Sequence, residues 1–159
     1  MEMNLPDEAA TTAAGAALAR SLPGVASRSL LLGLSGELGS GKTTLARGLL
    51  RALGVTGTIR SPTFTLVEPY ETALGSVHHL DLYRLGSGAR ELDALGYRDI
   101  RGLPGLVIVE WPERAGDGLG AADLQITLEH RAPGRQMCIE APTPAGAEWL
   151  GALSRAALR

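Results

Sequence analysis

The run Gly36-Glu37-Leu38-Gly39-Ser40-Gly41-Lys42-Thr43 constrains this chain more than any other feature in it. It fits the pattern G-x-x-x-x-G-K-[ST] without a mismatch, and it stands between an apolar run and a helical pattern, the setting that a phosphate-cradling loop requires. Glycines at 36, 39 and 41 permit backbone angles that a Cβ would forbid, so successive N–H groups can turn inward around phosphate oxygens. A nucleoside triphosphate is therefore the expected ligand. The plain alternative is a Gly-rich turn that happens to precede a helix.

The residues after the loop support the first reading. Leu45, Leu49 and Leu53 recur every four residues, which places them on one face of a helix whose N-terminus points at the phosphates. Glu37, Leu38, Gly39, Ser40, Gly41, Lys42, Thr43 and Thr44 then form the nucleotide-binding set. Lys42 is placed to reach the β and γ oxygens as a point charge, and the Thr43 hydroxyl to ligate magnesium.

Elsewhere the pattern is that of an α/β protein. Residues 7–22 read as an Ala-rich helix, started by Asp7 or Glu8 and ended by Pro23-Gly24. Residues 29–35 are almost wholly apolar, as a buried central strand would be. An extended segment at 66–71 is assigned to a sheet edge because Pro69 interrupts it, with 72–75 as a hairpin turn and 77–83 as the returning antiparallel strand. Residues 89–95 read as a short helix, 106–109 as a second fully apolar strand, 124–129 and 136–141 as late strands around Pro133-Gly134, and 144–158 as a terminal helix. The fold expected is a three-layer P-loop NTPase whose mixed central sheet has a parallel core, an antiparallel edge hairpin and the late strands.

Several side chains are candidates for chemistry. Glu110 ends the second apolar strand, where it could hold magnesium or merely be a solvated strand end. The phosphate loop favours the former, because the two strands would be neighbours with their C-terminal ends on the same side. Asp81 lies in a mostly apolar strand, where an unpaired acid is costly, so it should meet a cation, a water or Arg84. Ser61-Pro62-Thr63-Phe64-Thr65 reads either as a switch loop near the γ-phosphate or as a β-turn with capping hydroxyls. His78 and His79 point to opposite faces of a strand, so only His79 can share a face with Asp81, in a supporting role. Trp111 could anchor the core, cover the nucleotide or face a partner, while Trp149 belongs in the core.

Composition narrows the functional classes. With 159 residues, the chain suits one domain spanning 1–159. A formal net charge of −2, without a basic block, argues against gripping nucleic acid unaided. The single cysteine, Cys138, excludes an intrachain disulfide and suits a small strand residue in a reducing compartment. Met1 to Pro6 has no leader character and no apolar run approaches about twenty residues, so a soluble, cytoplasmic protein without membrane contact is expected.

Taken in order, the phosphate loop through Thr44, Ser61-Pro62-Thr63-Phe64-Thr65-Leu66-Val67-Glu68, His79-Leu80-Asp81-Leu82-Tyr83-Arg84 and Val109-Glu110-Trp111-Pro112 resemble the bacterial TsaE (YjeE) family. The likeness spans residues 6–135. Glu37 and Ser40 stand where many members have Asp and Ala, changes that leave backbone recognition of phosphate intact. The resemblance implies a small magnesium-dependent ATPase that docks on TsaB and TsaD. Those proteins make threonylcarbamoyladenosine beside the anticodon of tRNAs reading codons that begin with A, so tRNA would be met only through the complex. It further implies that Lys42 and Thr43 hold phosphate and magnesium, that Glu110 holds magnesium and that Asp81 serves a step needed for hydrolysis. Glu8, in the Pro6-Asp7-Glu8 segment, would lie near the adenine, and Trp111 would join the nucleotide site.

The reaction expected is in-line attack of water on the γ-phosphate, slow in isolation and faster in the complex. Arg84 and Arg60 are the candidate cis arginines. Two other readings compete: a small-molecule or nucleoside kinase on the same loop, for which residues 86–90 leave little room for a lid, and a nucleotide-gated binding module in which hydrolysis is incidental.

Overall fold

The computed structural model describes residues 1–86 and 88–157. Seven strands form one sheet in the order β1-β7-β6-β2-β5-β4-β3, with β1 (Glu2–Leu5), β2 (Ser29–Ser35), β3 (Val67–Thr72), β4 (Gly75–Asp81), β5 (Gly105–Glu110), β6 (Leu124–Arg131) and β7 (Gly134–Glu140). The centre is parallel, since β2 pairs in parallel with β5 and β6, and β4 with β5. Antiparallel pairs close both sides: β3 on β4, and β7 with β1 beyond β6. The sheet is mixed and has helices on both faces, as the sequence pattern predicts.

Side-chain alternation sorts β2 and β5 into two cores. Leu30, Leu32, Leu34, Leu106 and Ile108 face α1 (Glu8–Arg20), α2 (Lys42–Ala52) and α5 (Pro144–Ala157). Leu31, Val107 and Val109 face the other way, toward α3 (Ala89–Ala94), α4 (Tyr97–Gly102) and a 3-10 segment at Pro112–Leu119. Strands buried on both faces need apolar residues at every position, which is why these two look continuous in sequence. α1 and α2 approach closely at Gly15, where a Cβ would stand 2.2 Å from the carbonyl oxygen of Leu45. Trp149 on α5 is fully buried, and its indole N–H donates to the carbonyl of Leu18 at 3.0 Å.

The expected elements are present with altered ends. Asp7 caps α1 by accepting from the Ala10 amide at 2.7 Å, and the helix stops at Arg20. β4 stops at Asp81 because Tyr83 folds back, its amide donating to the Asp81 carboxylate at 3.0 Å. Leu158, expected to end the last helix, lies outside the described residues. β1, α4 and the 3-10 segment were not foreseen. β1 is too short to show a period and exists through its pairing with β7, with Glu2 opposite Cys138 and Leu5 opposite Arg135. Pro69 does lie on an edge strand, β3. Among the described residues, no helix is long and apolar enough to cross a membrane.

Candidate functional site

β2 delivers the loop at 36–41 to the N-terminus of α2. Gly41 caps that helix in the left-handed region, at φ 108° and ψ 13°, a conformation open to glycine and strained for other residues. From the next position, the Lys42 ammonium donates to the carbonyl oxygens of Gly36 at 2.7 Å and Glu37 at 2.9 Å. An ammonium has three protons, so one donor is left for a ligand. Burial holds Lys42 below the ordinary lysine pKa, opposed by the carboxylates of Glu110, Glu113 and Asp81.

The two acids come together because β4 and β5 are parallel neighbours. Asp81 is the register partner of Glu110. The face they share is the one that α2 covers, and there the Thr43 hydroxyl donates to both Glu110 oxygens at 3.0 Å. His79, two residues before Asp81 and on the same face, is fully buried with Nε2 2.8 Å from Glu110 Oε1. The carboxylate is thus held from two sides, by a helix hydroxyl and by a strand imidazole. This is the supporting position that alternation along β4 predicts for His79.

Asp81 is only 5% exposed, and its partner is Ser61 rather than Arg84. The Ser61 hydroxyl donates to Asp81 Oδ2 at 2.7 Å, and Thr63 lies 3.4 Å from the same oxygen. Arg84 follows the strand's end and is exposed, its guanidinium 4.6 Å from the centroid of the Phe64 ring. The segment at 61–65 is therefore tied to Asp81 through the hydroxyls of Ser61 and Thr63.

Trp111 turns sharply after Glu110, at φ 58° and ψ 50°. For a bulky residue this left-handed backbone is costly, and such strain gathers at functional sites. The turn brings the indole over Lys42, whose Nζ lies 4.1 Å from the ring centroid, and against Tyr83 at 4.9 Å between centroids. Arg114 lies over both rings, at 5.4 Å from Tyr83 and 5.9 Å from Trp111. Sequence reasoning did not single out Arg114; its position depends on the 3-10 turn.

One pocket of about 330 Å³ collects Leu38, Gly39, Gly41, Lys42, Thr43, Thr44, Asp81, Glu110 and Trp111, together with Ser61, Thr63 and Tyr83. Three other expected residues stand apart from its lining. Ser40 is fully buried within the loop, its hydroxyl without a hydrogen-bond partner. Glu37 contributes its carbonyl to Lys42, while its surroundings open toward residues 127–130. Glu8 is exposed on the first turn of α1.

The family model described as "Threonylcarbamoyl adenosine biosynthesis protein TsaE" matches residues 5–137. The chain belongs to the TsaE family. Curated TsaE relatives named as tRNA threonylcarbamoyladenosine biosynthesis proteins include one from Haemophilus influenzae, 36% identical over 80% of each chain. One from Synechocystis is 46% identical over 72% of this chain and 71% of its own length. The crystal structure of Bacillus subtilis YdiB superposes with a TM-score of 0.79 at 25% identity, covering 99% of this chain and 95% of that one. The TsaE match encloses the phosphate loop, the Ser61 segment, Asp81 and the Glu110-Trp111 turn.

A nucleotide with magnesium suits the groups in the pocket. The loop leads into the N-terminus of α2, where the first amides lack intrahelical partners, and it carries an ammonium with a spare donor. Thr43 and the two acids supply hard oxygen atoms for an ion that keeps several waters and is bound through one or two carboxylates and phosphate oxygens.

Proposed function

We propose that this protein is a magnesium-dependent ATPase that supports tRNA N6-threonylcarbamoyladenosine formation by docking on TsaB and TsaD, meeting tRNA only through that complex. The observation that carries the reading is the convergence of Lys42, Thr43, Asp81 and Glu110 on one pocket beside the phosphate loop. Lys42 neutralises charge on the β and γ phosphates with its remaining donor. Thr43 and Glu110 hold the magnesium, and His79 keeps the Glu110 carboxylate oriented. The bound ion supplies charge neutralisation at the phosphates. Asp81, fixed through Ser61 and Tyr83, can accept a hydrogen bond from the attacking water and aim it in line with the bond that breaks.

Arginine assistance is the incomplete part. Arg84 is turned onto Phe64, and Arg114 lies over the rings of Tyr83 and Trp111. Hydrolysis is accordingly slow in isolation, and a partner that reorders these side chains accelerates it.

The test is ATP hydrolysis by the purified protein, alone and with its own TsaB and TsaD, with Lys42→Ala as control. Stimulation by the pair that Lys42→Ala abolishes supports the ATPase. Maximal turnover without partners refutes the partner dependence, and phosphate transfer to a metabolite in a substrate panel would make the protein a kinase.

A further inference from the structure

The sheet ends in β1 on one side and β3 on the other, and the two edges are built differently. β3 carries Pro69 in its middle, which interrupts the row of edge donors and blunts that side. β1 has no proline within Glu2–Leu5. The direction of its backbone groups follows from its pairing. Met1 and Ile139 exchange both backbone bonds, each at 2.8 Å, so the odd positions of β1 bond to β7, with Met3 opposite Met137 and Leu5 opposite Arg135. Antiparallel pairing alternates, and the N–H and C=O groups of Glu2 and Asn4 therefore point away from β7. Among the described residues, no strand lies beyond them.

The side of β1 turned toward the helices is open as well. Met3 and Leu5 point there, and with Ala13 and Ala17 of α1 and Leu153 of α5 they line a groove of about 430 Å³. The opposite face is polar. Glu2 and Asn4 are exposed on it, and the Glu2 carboxylate accepts from Gln136 Nε2 at 2.9 Å. A strand added here must bring backbone partners for Glu2 and Asn4, an apolar side chain for the groove, and polar side chains that suit an acid and an amide. β1 itself has that composition.

We propose that β1 is a self-association edge, pairing antiparallel with β1 of a second copy about a two-fold axis between the two Met3 residues, so that the two seven-stranded sheets join into one. Chemistry selects this register. Glu2 of each copy stands opposite Asn4 of the other in a hydrogen-bonded pair, carboxylate meets amide, and the two methionines meet at the groove. An axis at Glu2 would set two carboxylates directly against each other. An axis at Asn4 would set Glu2 against Pro6, which has no N–H to give. The contact is isologous, as closed dimers require. A strand of four residues makes a small interface, so the dissociation constant should be on the order of 10–100 µM.

The test is sedimentation velocity of the full chain from about 1 to 300 µM, with the melting temperature of each variant. Wild type should pass from monomer to dimer across that range, and a monomer throughout overturns the inference. Asn4→Pro removes an outward donor without touching a bond to β7 and should weaken association about tenfold. Asn4→Glu sets like charges opposite each other on both sides of the axis and should weaken it by a similar factor. Combining Glu2→Lys with Asn4→Glu makes both pairs opposite in charge and should return the wild-type constant. A dimer indifferent to both single variants lies elsewhere on the surface and overturns the proposal, and failure of the charge pair to restore association overturns the register. Should Asn4→Pro lower the melting temperature by detaching β1, Asn4→Glu decides alone, since a wild-type constant in that variant is equally fatal.

Discussion

β5 and β6 are both parallel neighbours of β2, yet they are built differently. β5 reads Leu106-Val107-Ile108-Val109 and is buried at every position, whereas β6 alternates, with Leu124, Ile126 and Leu128 in the core and Gln125, Thr127 and Glu129 on the opposite face. The small helices and the 3-10 segment cover the β2–β5–β4 part of that face, while on β6 and β7 the residues there are polar or only partly buried. The two acids stand at the end of the doubly covered half, where Asp81 and Glu110 are sheltered and held by fixed hydrogen bonds. Low local dielectric strengthens such contacts and makes any unpaired group costly, so this half suits chemistry on phosphate. The singly covered half carries the open pocket around Arg131, Pro133 and Arg135.

The largest effect should come from placing an amide in the doubly covered half. Val107→Asn loses apolar burial and strands a polar group, a cost of roughly 3–5 kcal/mol. Urea unfolding would measure it, and a loss under about 1 kcal/mol would mean that the small helices do not seal this face.

Next in size is Lys42→Ala, which removes a charge-assisted contact worth about 1.5–3 kcal/mol to the ligand. Mg-ATP affinity should fall roughly 10- to 100-fold, with ADP less affected. Equal loss for ADP and ATP would place Lys42 away from the terminal phosphate.

A smaller effect concerns pH. Because burial depresses the Lys42 pKa, its proton leaves at a lower pH than that of an exposed lysine, and ATP affinity should decline as pH rises through that depressed value. The stability sign is opposite. With a folded pKa below the unfolded one, the ammonium costs stability at neutral pH, and the cost disappears as pH rises from the folded value to the unfolded one. Lys42→Arg, charged throughout this range, should flatten the alkaline limb of the binding curve. An identical limb in that variant would assign it to another group.

The smallest effect is the mirror of the first. Thr127→Val on the partly buried face of β6 should change stability by no more than about 0.5 kcal/mol. A larger loss would show that its hydroxyl is bonded across the sheet.

Much of this contrast was legible before folding. The nearly continuous apolar runs at 29–35 and 106–109 read as buried strands, and 124–129 as a late strand. The phosphate loop announced its own place, and Pro69 its edge strand. His79 could be assigned to the face of Asp81 because strand periodicity has only two outcomes. What stayed hidden depends on partners distant in sequence. β1 has no pattern of its own, and Asp81 is paired with Ser61, twenty residues upstream, where adjacency suggested Arg84. Asp123 gave no signal either, although its carboxylate accepts the Leu31 amide at 2.7 Å and the Thr143 hydroxyl at 2.6 Å, joining β2, β6 and the start of α5.

By itself, then, the sequence determined which segments are apolar enough to be buried on two faces, where the glycine-rich loop begins, and which lysine and threonine complete it. These are local properties, written in glycine positions and in the period of apolar residues. Only the tertiary structure decided that Asp81 and Glu110 are register partners, that Trp111 turns back over Lys42, and that Arg135 rests on Gly41 from the other side of β2. Each of those joins residues tens of positions apart, and chain order carries no distance across a sheet until its strands have paired.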